Sequence, residues 1–377
     1  MRLRNRRDPP APNNTYEMRS RSRRDPPAPL SKSRFGGLAS FFDPILSEQL
    51  PALELLFHDG GTTLKAASKS PALLAHTDAV FCLELVHGNE GKTHLFSGGA
   101  DRCIRGWDPT GTPQSCWRGH AGCIFSLAWT GEHLASGSAD KTVRLWAVNT
   151  GQTLRVLTGH PGTVLALAAV DGKLFCAGSG SAVHVWNIET GEAAHRLAGH
   201  IGSVKCLIPF PLRGGILSAG TDGLVKEWNG EGRLVSKLKA HRTSVTTCAV
   251  ARDLLFTGGG ESSWKVWRAA DDYASHERAG FILLQTVGHH SAGVSSISWM
   301  EDATHGLRIF IAGLGGSLRM FEAGSKQLES SGDESATSIA LLISRTGYTC
   351  SACAPNGVFV GGYDGTVSLL PFARGSA

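Results

Sequence analysis

From about residue 60 to residue 372 the chain alternates apolar runs of four to eight residues, rich in Val, Leu and Phe, with short breaks of Gly, Asp and Asn. Runs of that length and punctuation predict β-strands, because helices need ten or more residues of 3.6-residue periodicity. The runs sit in a repeating frame. Gly119-His120, Gly159-His160 and Gly199-His200 stand 40 residues apart, and the frame continues at Ala240-His241, at His289-His290 and, upstream, at Ala75-His76. Each of these histidines has an aliphatic residue four positions on: Val80, Ile124, Val164, Val204, Val245 and Val294. The second half of each unit repeats as well. Leu134-Ala-Ser-Gly-Ser-Ala-Asp140-Lys-Thr-Val-Arg-Leu-Trp146 matches Leu95-Phe-Ser-Gly-Gly-Ala-Asp101-Arg-Cys-Ile-Arg-Gly-Trp107 position for position, and Leu217 to Trp228 is a variant of the same line. Each unit predicts four short strands. A lone four-stranded sheet exposes two apolar faces and two edges, so the units must stack and the stack must close.

A period of about 40 to 45 residues with Gly-His near its start and a Trp closing its signature resembles the WD-repeat (WD40) family, over roughly residues 60 to 372. The terminal dipeptide is kept loosely: Trp107-Asp108 is literal, and the other units read Trp146-Ala147, Trp186-Asn187, Trp228-Asn229 and Trp267-Arg268. The resemblance implies an all-β fold, one seven-bladed β-propeller of four-stranded antiparallel blades, with six or eight blades as the alternative counts. The last unit, Val358 to Leu370, carries Leu370 in the Trp position, has no Gly-His before it and supplies three strands. Its fourth strand is expected from Thr62 to Ala75, so that an N-terminal strand closes the ring.

The family also implies a hydrogen-bonded relay in each blade, running from a His through a Ser or Thr on the second strand to the Trp of the third, with the Asp of the turn on the other side of the His. Carried over, the sets are His76, Ser97, Asp101 and Trp107; His120, Ser136, Asp140 and Trp146; His200, Ser218, Asp222 and Trp228. Blade five has His241, Thr257 and Trp267 with Glu261 in the Asp place. Blade three, at Ala177-Gly178-Ser179-Gly180-Ser181, reads as one residue shorter and without an acid. Blade six shares that turn at Ala312 to Gly316 and ends in Phe321, so these two blades are expected to be the less rigid ones. Family members bind partners on the narrow top face, at the residues flanking the aliphatic position. Here those are Ala79 and Phe81, Cys123 and Phe125, Thr163 and Leu165, then Ser203 and Lys205, with small turn residues Ala100, Ala139 and Thr221. Phe81, Phe125 and Leu165 would stand on neighbouring blades with Lys205 on the next, suiting an apolar anchor residue flanked by an acid. The competing reading turns one or more of them inward, since strand faces alternate and a one-residue slip reverses them.

Upstream the pattern changes twice. Met1 to Pro12 returns as Met18 to Pro29, an imperfect tandem duplication that makes Met18 an alternative start. Residues 1–34 hold nine Arg and Lys32 against Asp8, Glu17 and Asp25, a net charge of +7, while the whole chain carries +5 and the remainder therefore −2. Rich in Pro and poor in large apolar residues, this tail is expected to be disordered, either as a solvated extension or as an electrostatic contact to RNA. Two Asp-Pro-Pro interruptions argue against the amphipathic helix of a transit peptide. Residues 35–59 form a separate short helical or irregular segment. Leu38, Phe41, Phe42, Ile45, Leu46, Leu50, Leu53, Leu56 and Phe57 recur at spacings of three and four, Asp43-Pro44 suits a helix start, and Pro51 splits the stretch. It would be a plug on the ring or a docking segment. The propeller is assigned to 60–377.

Composition adds exclusions. Glycine is 47 of 377 residues, about 12% where roughly 7% is usual, which fits many turns. No apolar run approaches 18 residues and the N-terminus lacks a signal-peptide core, so a cytoplasmic, or alternatively nuclear, protein without membrane contact is expected. The nine cysteines are odd in number and mostly lie in apolar runs, as reduced core residues do. Gly88-Asn-Glu-Gly91-Lys92-Thr93 is not a phosphate loop, because position 86 is Val and the stretch joins two strands. Cys350-Ser-Ala-Cys353 has the spacing of half a zinc knuckle, but a site would have to recruit His305 or His276. Once the repeat positions are set aside, no Ser-His-Asp set, carboxylate pair or His-Glu-x-x-His remains. No cofactor, no metal and no catalysis are expected. The reading is a non-catalytic protein-interaction scaffold. Its alternatives are a ribonucleoprotein component holding RNA by the tail (Arg19-Ser20-Arg21-Ser22-Arg23) and a ubiquitin-ligase substrate receptor. The last is disfavoured, since no strand-closing Trp is followed by Asp-x-Arg and Leu50 to Leu56 leaves no room for an F-box.

Overall fold

The computed structural model describes residues 53–54, 65–66, 73–74, 76–87, 93–108, 112–270, 280–288, 292–302, 306–323, 340–343, 346–355 and 357–372. The chain divides into residues 1–50, which lie outside the described residues, and 51–377. The expectations for the basic tail and for most of 35–59 therefore fall outside the described residues. Leu53–Glu54 is an exception: it is extended, not helical, and pairs antiparallel with Lys65–Ala66, which satisfies backbone groups a helix would have turned on itself.

Seven four-stranded antiparallel sheets make up the fold, and six of them run in chain order from the innermost strand outward. The innermost strands are Val80–His87, Ile124–Trp129, Val164–Val170, Val204–Phe210, Val245–Ala251, Val294–Asp302 and Tyr348–Ala354. Each packs against the innermost strands on either side, and the last packs against the first, so the ring closes. Closure is covalently crossed. The outer strand of blade seven is Leu73–Leu74, inside the expected window, with Leu73 opposite Val367 and Leu74 opposite Thr366. This is the seven-bladed β-propeller the repeats imply.

The repeat's aliphatic residue has a physical reason. In blades one, two and five the glycine one residue after the relay Ser or Thr leaves room for it: a Cβ on Gly98 would lie 2.7 Å from Ile124 of the next blade, and one on Gly137 would lie 2.5 Å from Val164. One residue beyond the aliphatic position, every innermost strand carries a register shift, at Phe81, Phe125, Leu165, Lys205, Thr246, Ser295 and Thr349. Such a bulge re-aims the extra side chain out of the pleat. Between blades the core is apolar. Trp146, 1% exposed, packs with Trp117 of blade one at a ring separation of 6.0 Å. Burying an aromatic ring of about 200 Å² corresponds to roughly 5 kcal/mol of transfer free energy, and each blade interface repeats such a contribution.

Candidate functional site

At one end of the ring, here the top, the innermost strands begin, the second strands turn into the third, and the outer strands end. Four relays lie there. In blade one His76 Nδ1 is 2.8 Å from Asp101, His76 Nε2 is 2.7 Å from Ser97 Oγ, and Trp107 Nε1–H donates to that hydroxyl at 2.8 Å. In blade two His120 lies 2.7 Å from both Asp140 and Ser136, with Trp146 donating to Ser136 at 2.8 Å. Blade four repeats this with His200, Asp222 (2.9 Å), Ser218 (2.8 Å) and Trp228 (2.8 Å). Blade five uses Glu261 (2.9 Å from His241), Thr257 (2.9 Å) and Trp267 (3.0 Å). The extra methylene of Glu261 still lets it accept the amide N–H of Arg242 and of Thr243.

One proton arrangement satisfies every atom. The indole N–H donates to the hydroxyl, the hydroxyl donates to Nε2, and Nδ1–H donates to the carboxylate, so the imidazole is neutral. Ionisation tendencies agree. Burial holds His120, His200 and His241 below the ordinary imidazole value, even though the facing carboxylates pull the other way. Burial would raise Asp101, but the His76 hydrogen bond and charge and the Cys103 and Thr77 amides bring it down to about 2. Asp140 and Glu261, likewise buried, are also brought down to about 2 by their His, by neighbouring amides and, for Asp140, by the Thr142 hydroxyl. These histidines orient turns and are not general bases.

Blades three and six are not shortened. Leu174 faces Trp186 just as Leu134 faces Trp146, so Cys176 stands in the serine place and Gly180 in the Asp place. Ile309 faces Phe321, which puts Ile311 and Gly315 in those places in blade six. The ten-residue interval to the closing aromatic is intact, and what changed is residue type. In blade three the consequence is local: His160 Nδ1 turns to the Gly162 carbonyl at 2.6 Å, while His160 Nε2 and Trp186 Nε1 are buried without partners.

The bulged positions bring the expected contact residues to the top mouth of the ring. Phe81 and Phe125, on adjacent blades, stack with ring centroids 4.8 Å apart and planes 27° apart, both half-buried. Leu165, half-buried, and Lys205, exposed, hold the same place on the next two blades. Further round, Thr246 turns its hydroxyl to the Val294 carbonyl at 2.6 Å, and Thr349 donates to Val80 and Gly361. The residue before each aliphatic position instead clasps the turn through its carbonyl. Ala79, Cys123, Thr163 and Ser203 accept the amides of Ala100, Ala139, Ser179 and Thr221 at 2.8–3.0 Å. Ala79 is buried at 6% exposure, so its side chain offers no contact surface; Cys123 and Thr163 are half-buried.

Two features have no sequence signature. Glu84, on the blade-one innermost strand, accepts the Trp129 amide of blade two at 2.9 Å, and burial pushes its carboxyl up to about 7 against that hydrogen bond. Low in the ring, blades four to six line a cavity of about 760 Å³ whose walls include Ile208, Leu212, Val250 and Trp299. Cys350 and Cys353 sit on one strand with burial pushing both thiols up to about 12, and Cys353 donates to Ser298 at 3.2 Å. Among the described residues no cluster of three or more His, Cys, Asp or Glu could hold a metal, and no helix is long and apolar enough to cross a membrane.

The WD domain, G-beta repeat (WD40) family model matches residues 68–108, 111–147 and 151–187. Residues 68–187 thus carry WD40 repeats, in a chain whose described residues form seven four-stranded propeller blades, four of them with the His-Ser/Thr-Trp relay. Over shorter stretches it is similar to curated proteins. It is 36% identical over 58 residues to the ribosome biogenesis protein YTM1 of Saccharomyces cerevisiae, covering 15% of this chain and 13% of that protein. It is 33% identical over 101 residues to a ribosome biogenesis protein WDR12 homolog of Nematostella vectensis, covering 25% and 23%. It is 35% identical over 77 residues to eukaryotic translation initiation factor 3 subunit I of Aspergillus oryzae, covering 20% and 23%. The chain thus aligns with less than a quarter of the length of each of these relatives.

Proposed function

We propose that this protein is a non-catalytic interaction scaffold that holds a peptide segment of a partner at the top mouth of its ring. The observation that carries this is the Phe81–Phe125 stack: two half-exposed aromatics on adjacent bulges, followed by Leu165 and then Lys205. Aromatic anchors ringed by small residues are the usual composition of a binding hot spot, and an aliphatic side chain laid beside the pair would leave its acidic neighbour near Lys205. The relay carboxylates and histidines are occupied with one another, which favours recognition over catalysis. The relatives named for ribosome biogenesis and for a translation initiation factor subunit support a multiprotein assembly as the setting, in the nucleus or cytoplasm. The test is affinity purification at moderate salt of the full chain and of Phe81→Glu with Phe125→Glu, both checked for folding by circular dichroism. Loss of a defined protein set from the variant supports the reading; an unchanged set overturns it.

A further inference from the structure

We infer that the rim of the top face is a binding surface for single-stranded RNA, which it holds through the phosphates. This goes beyond the peptide anchor and, Lys205 apart, rests on other residues. Arg102, Arg118, Lys141 and Arg242 project from the rim of blades one, two and five, with Lys205 at the mouth, and all five are exposed. Arg102 and Lys141 occupy the same left-handed position, at φ 65° and 68°, in the turns of adjacent blades. Among the described residues none of the five has an ion-pair partner.

Most carboxylates at this end are turned inward: Asp101, Asp140, Asp222 and Glu261 face their neutral histidines and are 4, 12, 8 and 20% exposed. Asp78 and Asp364 are exposed, the first accepting the Ala79 amide and the second binding Thr346 and Thr366. The opposite end is arranged differently. There Arg213, Arg233, Arg252 and Arg268 each have an acidic partner, in Glu227, Glu231, Glu301 and Asp253, and Glu132, Glu189 and Glu192 are exposed. At the opposite end Arg155 and Lys173 reach only backbone carbonyls, but exposed acids stand among them; at the top the five unpaired cations outnumber the exposed carboxylates, which favours a positive potential there even though the chain beyond residue 34 is net negative. Their spread over blades one, two, four and five, with the uncharged Ser179-Gly180-Ser181 turn between, suits a polymer charged at every unit better than one acidic side chain. Three of the five are arginines, whose planar fork matches phosphate oxygens.

The probe is a fluorescent 20-nucleotide oligouridylate. The protein is the full chain with the Arg and Lys of residues 1–34 replaced by Gln, so that the tail carries no positive charge. Five phosphate contacts predict that affinity falls about 100-fold between 50 and 200 mM salt, from a slope of roughly 0.7 per contact on single strands. Adding Arg102→Gln, Arg118→Gln, Lys141→Gln and Arg242→Gln should weaken binding at least tenfold at 50 mM and leave only about a threefold salt effect. The charge-retaining Arg102→Lys, Arg118→Lys, Arg242→Lys variant should bind within a few-fold of its parent, and melting temperatures serve as the folding check. Equal binding by the four-Gln variant overturns the inference. So does polyglutamate of matched length competing as well as unlabelled oligouridylate, which would assign the rim to an acidic protein segment.

Discussion

Cys176→Ser should stabilise this protein, although placing a hydroxyl in a fully buried apolar site ordinarily destabilises. Cys176 is 0% exposed and stands where Ser136 stands in blade two. Both groups that Ser136 satisfies in blade two are present but unpartnered in blade three: Trp186 Nε1 and His160 Nε2. His160 Nδ1 already donates to Gly162, which leaves Nε2 as an acceptor for the new O–H. Two neutral hydrogen bonds are worth about 1–3 kcal/mol together, and the greater cost of burying a hydroxyl takes back about 1, for a net gain of about 1 kcal/mol. With an unfolding entropy of about 2.1 cal/mol/K per residue over some 300 propeller residues, that raises the melting temperature by about 1–2 °C. Calorimetry reads the shift, and slowed exchange of the Trp186 indole proton reads its cause. A lower melting temperature with unchanged indole exchange would refute the reasoning. Ser136→Cys is the mirror experiment and should cost about 2–3 kcal/mol by leaving two buried groups unpartnered.

Three further outcomes follow from the same geometry. Glu261→Ala removes the partner of His241 and of two backbone amides and should cost about 1–3 kcal/mol by denaturant titration, with Glu261→Asp recovering part of it. Acidification should weaken the fold in two stages. The histidines lie below their ordinary 6.5 and the relay carboxylates below theirs, so the unfolded chain binds protons first; stability is full above about pH 6.5 and falls as pH drops, first through the His range and then toward 2. Glu84 has the opposite sign: its carboxyl at about 7 contributes most below its ordinary 4.5 and loses that as pH rises through 7, so Glu84→Gln should be more stable than the parent at pH 8 and lose the advantage at pH 4–5 in thermal melts.

Much of this architecture is legible in the chain because the repeated residues are the ones that hold the blades together. The His, Ser, Asp and Trp of one unit meet within 3 Å, and Ile124, Val164 and Val294 need Gly98, Gly137 and Gly258 of the preceding blade, so the spacing is enforced by contact. The closing strand follows from the strand count, since a ring with one strand missing has an edge to fill. Blades three and six look shortened in the sequence because their small residues resemble one another, and aligning Ala177 with Ser136 hides Cys176; the ten-residue interval to Trp186 and to Phe321 restores the register. The bulge that aims Phe81 at Phe125 was legible only as a position, since the stacking depends on how two adjacent blades pack. Glu84 against the Trp129 amide left no trace at all, because a single carboxylate meeting a backbone N–H 45 residues away has no composition or period.

The most direct test of the central claim is site-specific photocrosslinking in cells, with a photoreactive residue in place of Leu165 at the mouth of the ring and, in parallel, of Leu154 on the exposed outer strand of blade two. The account predicts that position 165 captures a defined protein at high yield, that position 154 does not, and that Phe81→Glu with Phe125→Glu abolishes the capture. Equal capture at both positions, or capture at 165 that survives the double substitution, would contradict it.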